Sequence, residues 1–497
     1  MNIHFTSLEQ LNISNIWGPR EQDVSDLSFH SDRIDPPSIF FCIKGSTEDG
    51  HKYILDAIQK GAKVIVGTNE KVLEQSSSLH PDLTFISVKN IRQTMAIIAK
   101  YMYKKPDESL KTIGITGTNG KTTVAAYVRS LLSLLGIRTG SIGTTGIWSD
   151  NQKLPYKKST PTTPESLDIF RICRQLSDLK NDAVAMEVSS IALDQYRVEG
   201  IDFDVAIHTN FSEEHLEYHK TIEHYRDCKL RLFKQAKTAV VNIDDDGMAD
   251  EILETYTGPL ITYSLESDTD ADLFASKVNV DEDGSYFDLT YQNQTYELFV
   301  PVFGDYNVAN VLSAIGCALH LGYTMNEIIH VIGKLEGPQG RFEVISKPNN
   351  QKVILDYAHT PVALNRLIEE VKKLKYERLI VMIAGIGIRD FNKMPKMAQM
   401  IEGQADEIVV TVDHPGYHDP QEVVDQVMTG FKEPTASNIH TSLTRKEGVE
   451  KALHLSNEGD IILLTSGCIN DAQIIKGKEV PHSDTDIIDD YYEKSLC

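Results

Sequence analysis

The chain has 497 residues, enough for about two to four domains, and its 41% hydrophobic and 24% charged content excludes disordered, collagen-like and repeat architectures. Lys plus Arg (49) against Asp plus Glu (72) leaves a net charge of −23, so neither nucleic-acid binding nor adhesion to anionic membranes is expected. The six cysteines (Cys42, Cys173, Cys228, Cys317, Cys468, Cys497) lack C-x-x-C spacing, which argues against a zinc site or disulfide framework and for a reducing, cytoplasmic setting. The start, MNIHFTSLEQLNISN, does not read as a leader, and the longest apolar run, Leu379 to Ile388, is too short to span a bilayer.

Taken in chain order, residues 1–107 predict a small α/β domain. Its strands are Ser38 to Ile43 and Ala62 to Val66, with the helix-like Tyr53 to Lys60 between them. A central domain over 108–337 opens with a strand at Leu110 to Ile115, a glycine-rich turn, and a helix whose apolar spacing runs through Val124 to Leu131. Strands predicted at Asp182 to Glu187, Phe203 to Ile207 and Thr238 to Asn242 alternate with helical segments, the pattern of a parallel sheet with crossover helices. A helix near Asn307 leads to Gly337-Pro-Gln-Gly340, hinge-like in composition. The last domain, 338–497, carries strands at Lys352 to Asp356, Arg378 to Ile383, Glu407 to Val412 and Asp460 to Thr465, a second, Rossmann-like sheet. The expected class is therefore α/β in three domains.

The loop Gly117-Thr-Asn-Gly-Lys-Thr122 between strand and helix is the strongest chemical signal. Backbone N–H groups of such a loop wrap phosphate oxygens, Lys121 neutralises their charge, and the Thr122 hydroxyl is placed to ligate Mg²⁺. The strict G-x-x-x-x-G-K pattern is not met, since Ile115 stands at the first glycine. Glu187 closes a strand where α/β sheets collect ligands, with a solvated strand-end carboxylate as the competing reading. His215 and His219 compete with an ordinary surface pair, and Lys229 with an exposed helix lysine. Asp356, His359, Arg389 and Lys393 are expected to converge at the edge of the last sheet, and Asp413 and His414 end another of its strands.

In this order the elements resemble the Mur ligase family, ATP-dependent amide-bond ligases of bacterial cell-wall precursor synthesis, over essentially the whole chain. The words that carry the resemblance are GTNGKTT at 117–123, TTPES at 162–166, MEVSS-x-AL-x-Q-x-RV at 186–198, TNFSEEHLEYH at 209–219 and Y-x-x-C-K-x-x-LF at 225–233. They continue with N-x-DD at 242–245, G-x-YNVAN at 304–310, GRFE at 340–343 and DYAHTP at 356–361. Within the family the chain is most similar to the ligases that add the third residue of the stem peptide.

The resemblance implies that Gly117, Thr118, Asn119, Gly120, Lys121, Thr122 and Thr123 hold the phosphates of ATP. It implies two Mg²⁺, with Thr122, Glu187, His215 and a carbamylated Lys229 as ligands, and catalysis by Lys121, Glu187, His215 and Lys229. Asn307, Asn310, Arg341, Asp356 and His359 would contact the nucleotide. Thr162, Thr163, Ser189, Gln195 and Arg197 would grip UDP-muramoyl-dipeptide, with Ser31 and the Gly45 to His51 loop at its uridine end. Arg389, Lys393, Asp413, His414 and Asn470 would face the free amino acid, and the enzyme would be a monomer.

The departures are informative. His30-Ser31-Asp32 stands for the family's Asp-Ser-Arg, Ile191 for a histidine, and Glu214 for an aspartate. Asp413-His414-Pro415-Gly416 stands for the Asp-Asn-Pro-Arg word that recognises diaminopimelate, and Ser466 to Asn470 for a Gly-Lys-Gly-x-Glu stretch. Two alternatives stay open: a paralogue joining a different acid and amine, and a non-catalytic protein that binds a nucleotide or UDP-sugar peptide. A basic or neutral acceptor is expected over diaminopimelate.

Overall fold

A computed structural model describes residues 2–4, 11–45, 48–156, 159–266, 270–281, 283–466 and 472–495. Asn470, Cys468 and Cys497, and part of the Gly45 to His51 loop, lie outside the described residues. The chain forms two compact units: residues 1–273 with 312–328, and residues 274–311 with 329–497.

Besides a two-stranded ribbon pairing Asn2–His4 with Glu21–Asp23, the described part of the first unit carries two larger sheets. Five strands near the N-terminus lie in the order Ile13–Trp17, Thr84–Val88, Ala62–Gly67, Ser38–Phe41, Asp26–Ser28, parallel except for the first. Sequence patterning finds two of these. Asp26–Ser28 is only three residues long, and Ile13–Trp17 is a half-exposed edge without clear alternation. In the larger sheet, Thr139–Gly143, Ala183–Glu187, Lys111–Thr116, Phe203–His208, Ala236–Asn242 and Leu260–Ser264 run parallel in that spatial order. Gly146–Ser149 and Gln152–Leu154 extend it as an antiparallel hairpin. The four parallel strands Thr139–Gly143, Ala183–Glu187, Lys111–Thr116 and Phe203–His208 are nearly all buried, consistent with helices packed on both faces. The Lys121–Leu134 helix follows the strand Lys111–Thr116 and buries most of its length.

The second unit contains a six-stranded sheet in the order Glu343–Lys347, Gln351–Leu355, Ile461–Leu464, Leu379–Ile386, Glu407–Asp413, Ile439–Thr441. Four of these strands are expected from sequence. The two additions are edge strands, half-exposed and short, whose pairing replaces the hydrophobic run that would reveal them. The helix expected near Asn307 spans Asp305–His320. Among the described residues no helix is long and apolar enough to cross a membrane. Of the cysteines, Cys42, Cys173, Cys228 and Cys317 are free thiols.

Candidate active site

Strand Lys111–Thr116 lies between Ala183–Glu187 and Phe203–His208, although the chain visits Thr139–Gly143 between them. That reversal of winding opens a crevice at the carboxyl ends of the strands, the usual ligand position of an open α/β sheet. Gly117 enters the turn with φ +151°, and a Cβ there would stand 1.9 Å from Thr209 Oγ1, so only glycine fits. Gly120 then caps the helix in a left-handed conformation, leaving the first N–H groups of the Lys121–Leu134 helix without intrahelical acceptors. Thr118 N–H donates to Asn210 O (2.8 Å) and Asn119 N–H to Asn210 Oδ1 (2.9 Å). These two loop amides are therefore engaged by Asn210.

Glu187, 2% exposed, is the hub of the crevice. Its Oε2 accepts from Thr122 Oγ1 (2.9 Å) and Thr144 Oγ1 (3.1 Å), and its Oε1 accepts from Thr144 N–H (2.6 Å). The solvated strand-end reading fails because the strand delivers this carboxylate into the sheet's buried edge. Three oxygens of Thr122, Thr144 and Glu187 make a compact, all-oxygen donor set, which suits a hard cation such as Mg²⁺. Thr144 was not foreseen; its signal is a Gly-Thr-Thr-Gly turn closing a neighbouring strand.

Lys121 and Lys229 both reach the loop. Lys121 Nζ donates to Gly117 O (2.7 Å) and Thr118 O (2.8 Å), and Lys229 Nζ donates to Gly117 O at 2.6 Å. Lys229 is 1% exposed, against the competing reading of an exposed helix lysine, because the Ile222–Leu230 helix turns it inward beside Tyr225, whose ring lies 4.7 Å from Nζ. Burial, and then the nearby Lys121 ammonium, push its pKa far below the ordinary lysine value. His215 meets Tyr225 edge-on, with ring centroids 6.2 Å apart, at φ +58° and with its side chain 44% exposed. His219, by contrast, is buried.

The residues expected to grip the acidic substrate form one network. Thr163 Oγ1 bonds Glu187 O (2.9 Å) and Ser189 Oγ (3.2 Å), and Thr162 Oγ1 lies 3.3 Å from Thr144 Oγ1. Arg197 donates to Thr160 Oγ1, Thr163 O and Gln195 Oε1, and its Nε lies 3.4 Å from Glu165. Arg92 pairs with the same carboxylate at 2.7 Å, a partner sequence alone does not reveal. Ser31 bonds Asp56 on the Ile54–Gln59 helix, and Asp32 pairs with Lys60 at 2.9 Å. In the nearby loop, His51 lies 2.6 Å from Asp49 through Nδ1, and its Nε2 accepts the N–H groups of Thr68 and Asn69.

The second unit carries the remaining residues. Asp356 accepts from Phe342 N–H (2.8 Å) and Ala358 N–H (2.7 Å), and burial raises its pKa against the pull of Arg341. Arg341 stacks on Tyr357 at 4.9 Å, and its Nε is without a hydrogen-bond partner among the described residues. Arg389 reaches His359 Nε2 and Tyr357 Oη, both at 2.8 Å. His359, Arg389 and Lys393 line one cavity of about 220 Å³ floored by Ile386, Met394 and Met397. Asn310 Nδ2 donates to Asn307 Oδ1 (3.2 Å), and Asn307 Nδ2 donates to Phe303 O (2.9 Å).

Asp413 departs from expectation. It is 1% exposed, accepts from Gln473 Nε2 at 2.6 Å and lies 3.9 Å from the buried Arg445, so it does not present an open carboxylate to an ammonium. His414 accepts Ile474 N–H through Nδ1. A Cβ at Gly416 would stand 2.8 Å from Ile388 Cγ2, so the half-exposed Ile388 side chain adjoins the place where a side chain at 416 would emerge.

Models of three Mur ligase segments match the chain: the family's catalytic domain at residues 24–103, the middle domain at 115–318 and the glutamate ligase domain at 340–468. The chain is 34% identical over 489 residues to a UDP-N-acetylmuramoyl-L-alanyl-D-glutamate--2,6-diaminopimelate ligase of Clostridium tetani, covering 98% of each. The solved structure of an enzyme of that name superposes with a TM-score of 0.71 at 25% identity, covering 100% of both chains. The MurF ligase of Thermotoga maritima in complex with ADP shares the fold, with a TM-score of 0.60 at 17% identity, over 95% of this chain and 98% of that one.

Proposed function

The chain belongs to the Mur ligase family of ATP-dependent amide-bond-forming ligases, and from that premise we propose that it joins an amino acid to UDP-N-acetylmuramoyl-L-alanyl-D-glutamate in peptidoglycan precursor synthesis. The observation that carries the reading is the buried Glu187, tied to Thr122 at the start of the loop helix and to Thr144 across the crevice. A binding protein has no need of that oxygen cluster together with a buried lysine, Lys229, reaching the loop from a neighbouring helix.

A free carboxylate is a poor electrophile. In the proposed reaction a carboxylate oxygen of the dipeptide attacks the γ-phosphorus of ATP, the bond to the β-phosphate oxygen breaks, and ADP leaves. The amine of the amino acid then attacks the acyl carbon, loses a proton, and expels inorganic phosphate. The N–H groups from Gly120 to Thr123 would cradle the phosphates, and Lys121 would swing from the Gly117 and Thr118 carbonyls to them. Thr122, Glu187 and Thr144 would hold one Mg²⁺, and His215 with Lys229 a second. When bound, Mg²⁺ neutralises charge among three mutually repelling anionic groups. Burial favours the neutral Lys229 amine, the form that adds carbon dioxide, and the resulting carbamate would bring the anion that a second cation requires. Arg197, held by Glu165, would orient the dipeptide's acidic end.

The named relative acts on diaminopimelate. Here Gly416 contributes no cation for a distal carboxylate, and Ile388 lies against it. The proposed acceptor is therefore an amino acid without that carboxylate. With Asp413 already engaged, a neutral side chain gains ground on lysine. Mass-spectrometric detection of amide product across lysine, ornithine, diaminopimelate and neutral amino acids tests this. A clear preference for diaminopimelate would contradict the acceptor assignment, and no product with any of them would contradict the ligase reading.

A further inference from the structure

A cluster of different chemistry lies on an adjoining face of the helix that carries Lys229. His224 and Cys228, one helical turn apart on Ile222–Leu230, project together toward Asp194 at the end of the Ser190–Asp194 helix. His224 Nε2, Cys228 Sγ and Asp194 Oδ1 stand in a near-equilateral triangle: 3.6 Å from nitrogen to sulfur, 3.5 Å from nitrogen to oxygen, and 3.7 Å from sulfur to oxygen. At 3.5 Å the histidine and carboxylate are beyond a normal N–H···O bond of roughly 2.7 to 3.2 Å. Ligands on a tetrahedral Zn²⁺, with bonds of about 2.0 to 2.3 Å, are instead separated by about 3.3 to 3.8 Å.

The surrounding bonds suit the same arrangement. His224 Nδ1 lies 3.1 Å from His219 Nδ1, and His219 Nε2 lies 2.9 Å from Ser190 Oγ. If His224 donates from Nδ1 to His219, and His219 from Nε2 to Ser190, the lone pair of His224 Nε2 is left facing Cys228 and Asp194. This is the ordering that supporting hydrogen bonds impose on metal-binding histidines. Tyr218 Oη donates to the other oxygen of Asp194 at 2.8 Å and fixes the carboxylate. Arg231 also approaches Asp194 Oδ1, but at 3.8 Å it is a loose partner. Cys228 is buried, while the side chains of His224 and Asp194 are 43% and 25% exposed, leaving a route for an ion and a water as fourth ligand.

We propose that Asp194, His224 and Cys228 form a binding site for a thiophilic divalent metal, Zn²⁺ by preference, that ties the Ser190–Asp194 helix to the Lys229-bearing helix. Imidazole and thiolate donors exclude Mg²⁺ from this position, so the site is separate from the oxygen cluster at Glu187. With one thiolate and one carboxylate the loaded site is electrically neutral. C-x-x-C spacing, whose absence argues against zinc in the sequence, is unnecessary when the partners come from two helices.

Titration of the full-length chain with Co²⁺ reads the site directly. One equivalent should give a thiolate-to-cobalt charge-transfer band and tetrahedral visible bands that an excess of Mg²⁺ does not displace and Zn²⁺ does. Cys228→Ala should abolish the charge-transfer band, and Cys317→Ala, at a remote cysteine, should keep it. His224→Ala should weaken binding without the risk of disturbing a core position, and His219→Gln should lower affinity by about 10- to 100-fold while leaving the band's position unchanged. A missing band at one equivalent, or a band that survives both Cys228→Ala and His224→Ala, overturns the proposal. Ligase activity is not needed for any of these readouts, so the result stands apart from the proposed reaction.

Discussion

Gly143→Ala tests the role given to Glu187 without removing any functional group. Gly143 ends strand Thr139–Gly143, and a Cβ there would stand 2.1 Å from Glu187 Oε1 and 2.8 Å from its Cδ. A real carbon does not approach so closely, and strand pairing holds the backbone, so the carboxylate must turn away. It would then lose the Thr144 N–H bond at 2.6 Å and the Thr122 hydroxyl bond at 2.9 Å. Hydrogen bonds to a charged group contribute about 1.5 to 3 kcal/mol each, so the low end of the loss is about 3 kcal/mol. Taken from the transition state, that is a fall of about 100-fold in turnover. Phosphate release measured against Mg²⁺ concentration should show both the slower rate and a higher Mg²⁺ requirement. Adding Glu187→Asp, which retracts the carboxylate by about one bond of 1.5 Å, should relieve the clash and restore part of the activity. A well-folded Gly143→Ala protein with unchanged rate and Mg²⁺ dependence would refute the reasoning.

Lys121→Ala should abolish turnover while leaving the fold intact, since the side chain reaches the loop carbonyls of Gly117 and Thr118 rather than the apolar core; near wild-type turnover would remove it from the mechanism. Lys229→Ala should be inactive and partly rescued by small carboxylates, and wild-type activity should fall in buffer stripped of bicarbonate. Full activity of the alanine variant in such buffer would exclude the carbamate. Burial and Arg389 hold the His359 pKa down to about 4, against an ordinary 6.5. Between those values the unfolded chain binds the extra proton, so this residue's contribution to stability is full above about pH 6.5 and is lost as pH falls toward 4. Denaturant midpoints should show that slope, and His359→Gln should flatten it; an identical slope in the variant would contradict the account.

The phosphate loop was legible because its glycines, lysine and threonine must be contiguous in sequence. The position of Glu187 at a strand end was legible too, but its burial was not, since Thr144 reaches it from a different strand. Lys229 looked like a surface residue because helical spacing alone leaves its orientation open. Tyr225, four residues earlier on the same helix, was the local hint that this face turns inward. Asp413 shows the opposite failure. Its word matched a binding position, yet Gln473 and Arg445, far along the chain, engage it. The edge strands Glu343–Lys347 and Ile439–Thr441 are set by pairing with neighbours rather than by a hydrophobic run of their own.

The most direct test of the central claim follows the oxygen that the acyl-phosphate route must move. UDP-N-acetylmuramoyl-L-alanyl-D-glutamate labelled with oxygen-18 in its glutamate side-chain carboxylate, incubated with ATP, Mg²⁺ and an accepted amino acid, should yield ADP and inorganic phosphate carrying one labelled oxygen for each amide formed. Unlabelled phosphate, label appearing in AMP, or phosphate release that does not require the muramoyl dipeptide would contradict the account.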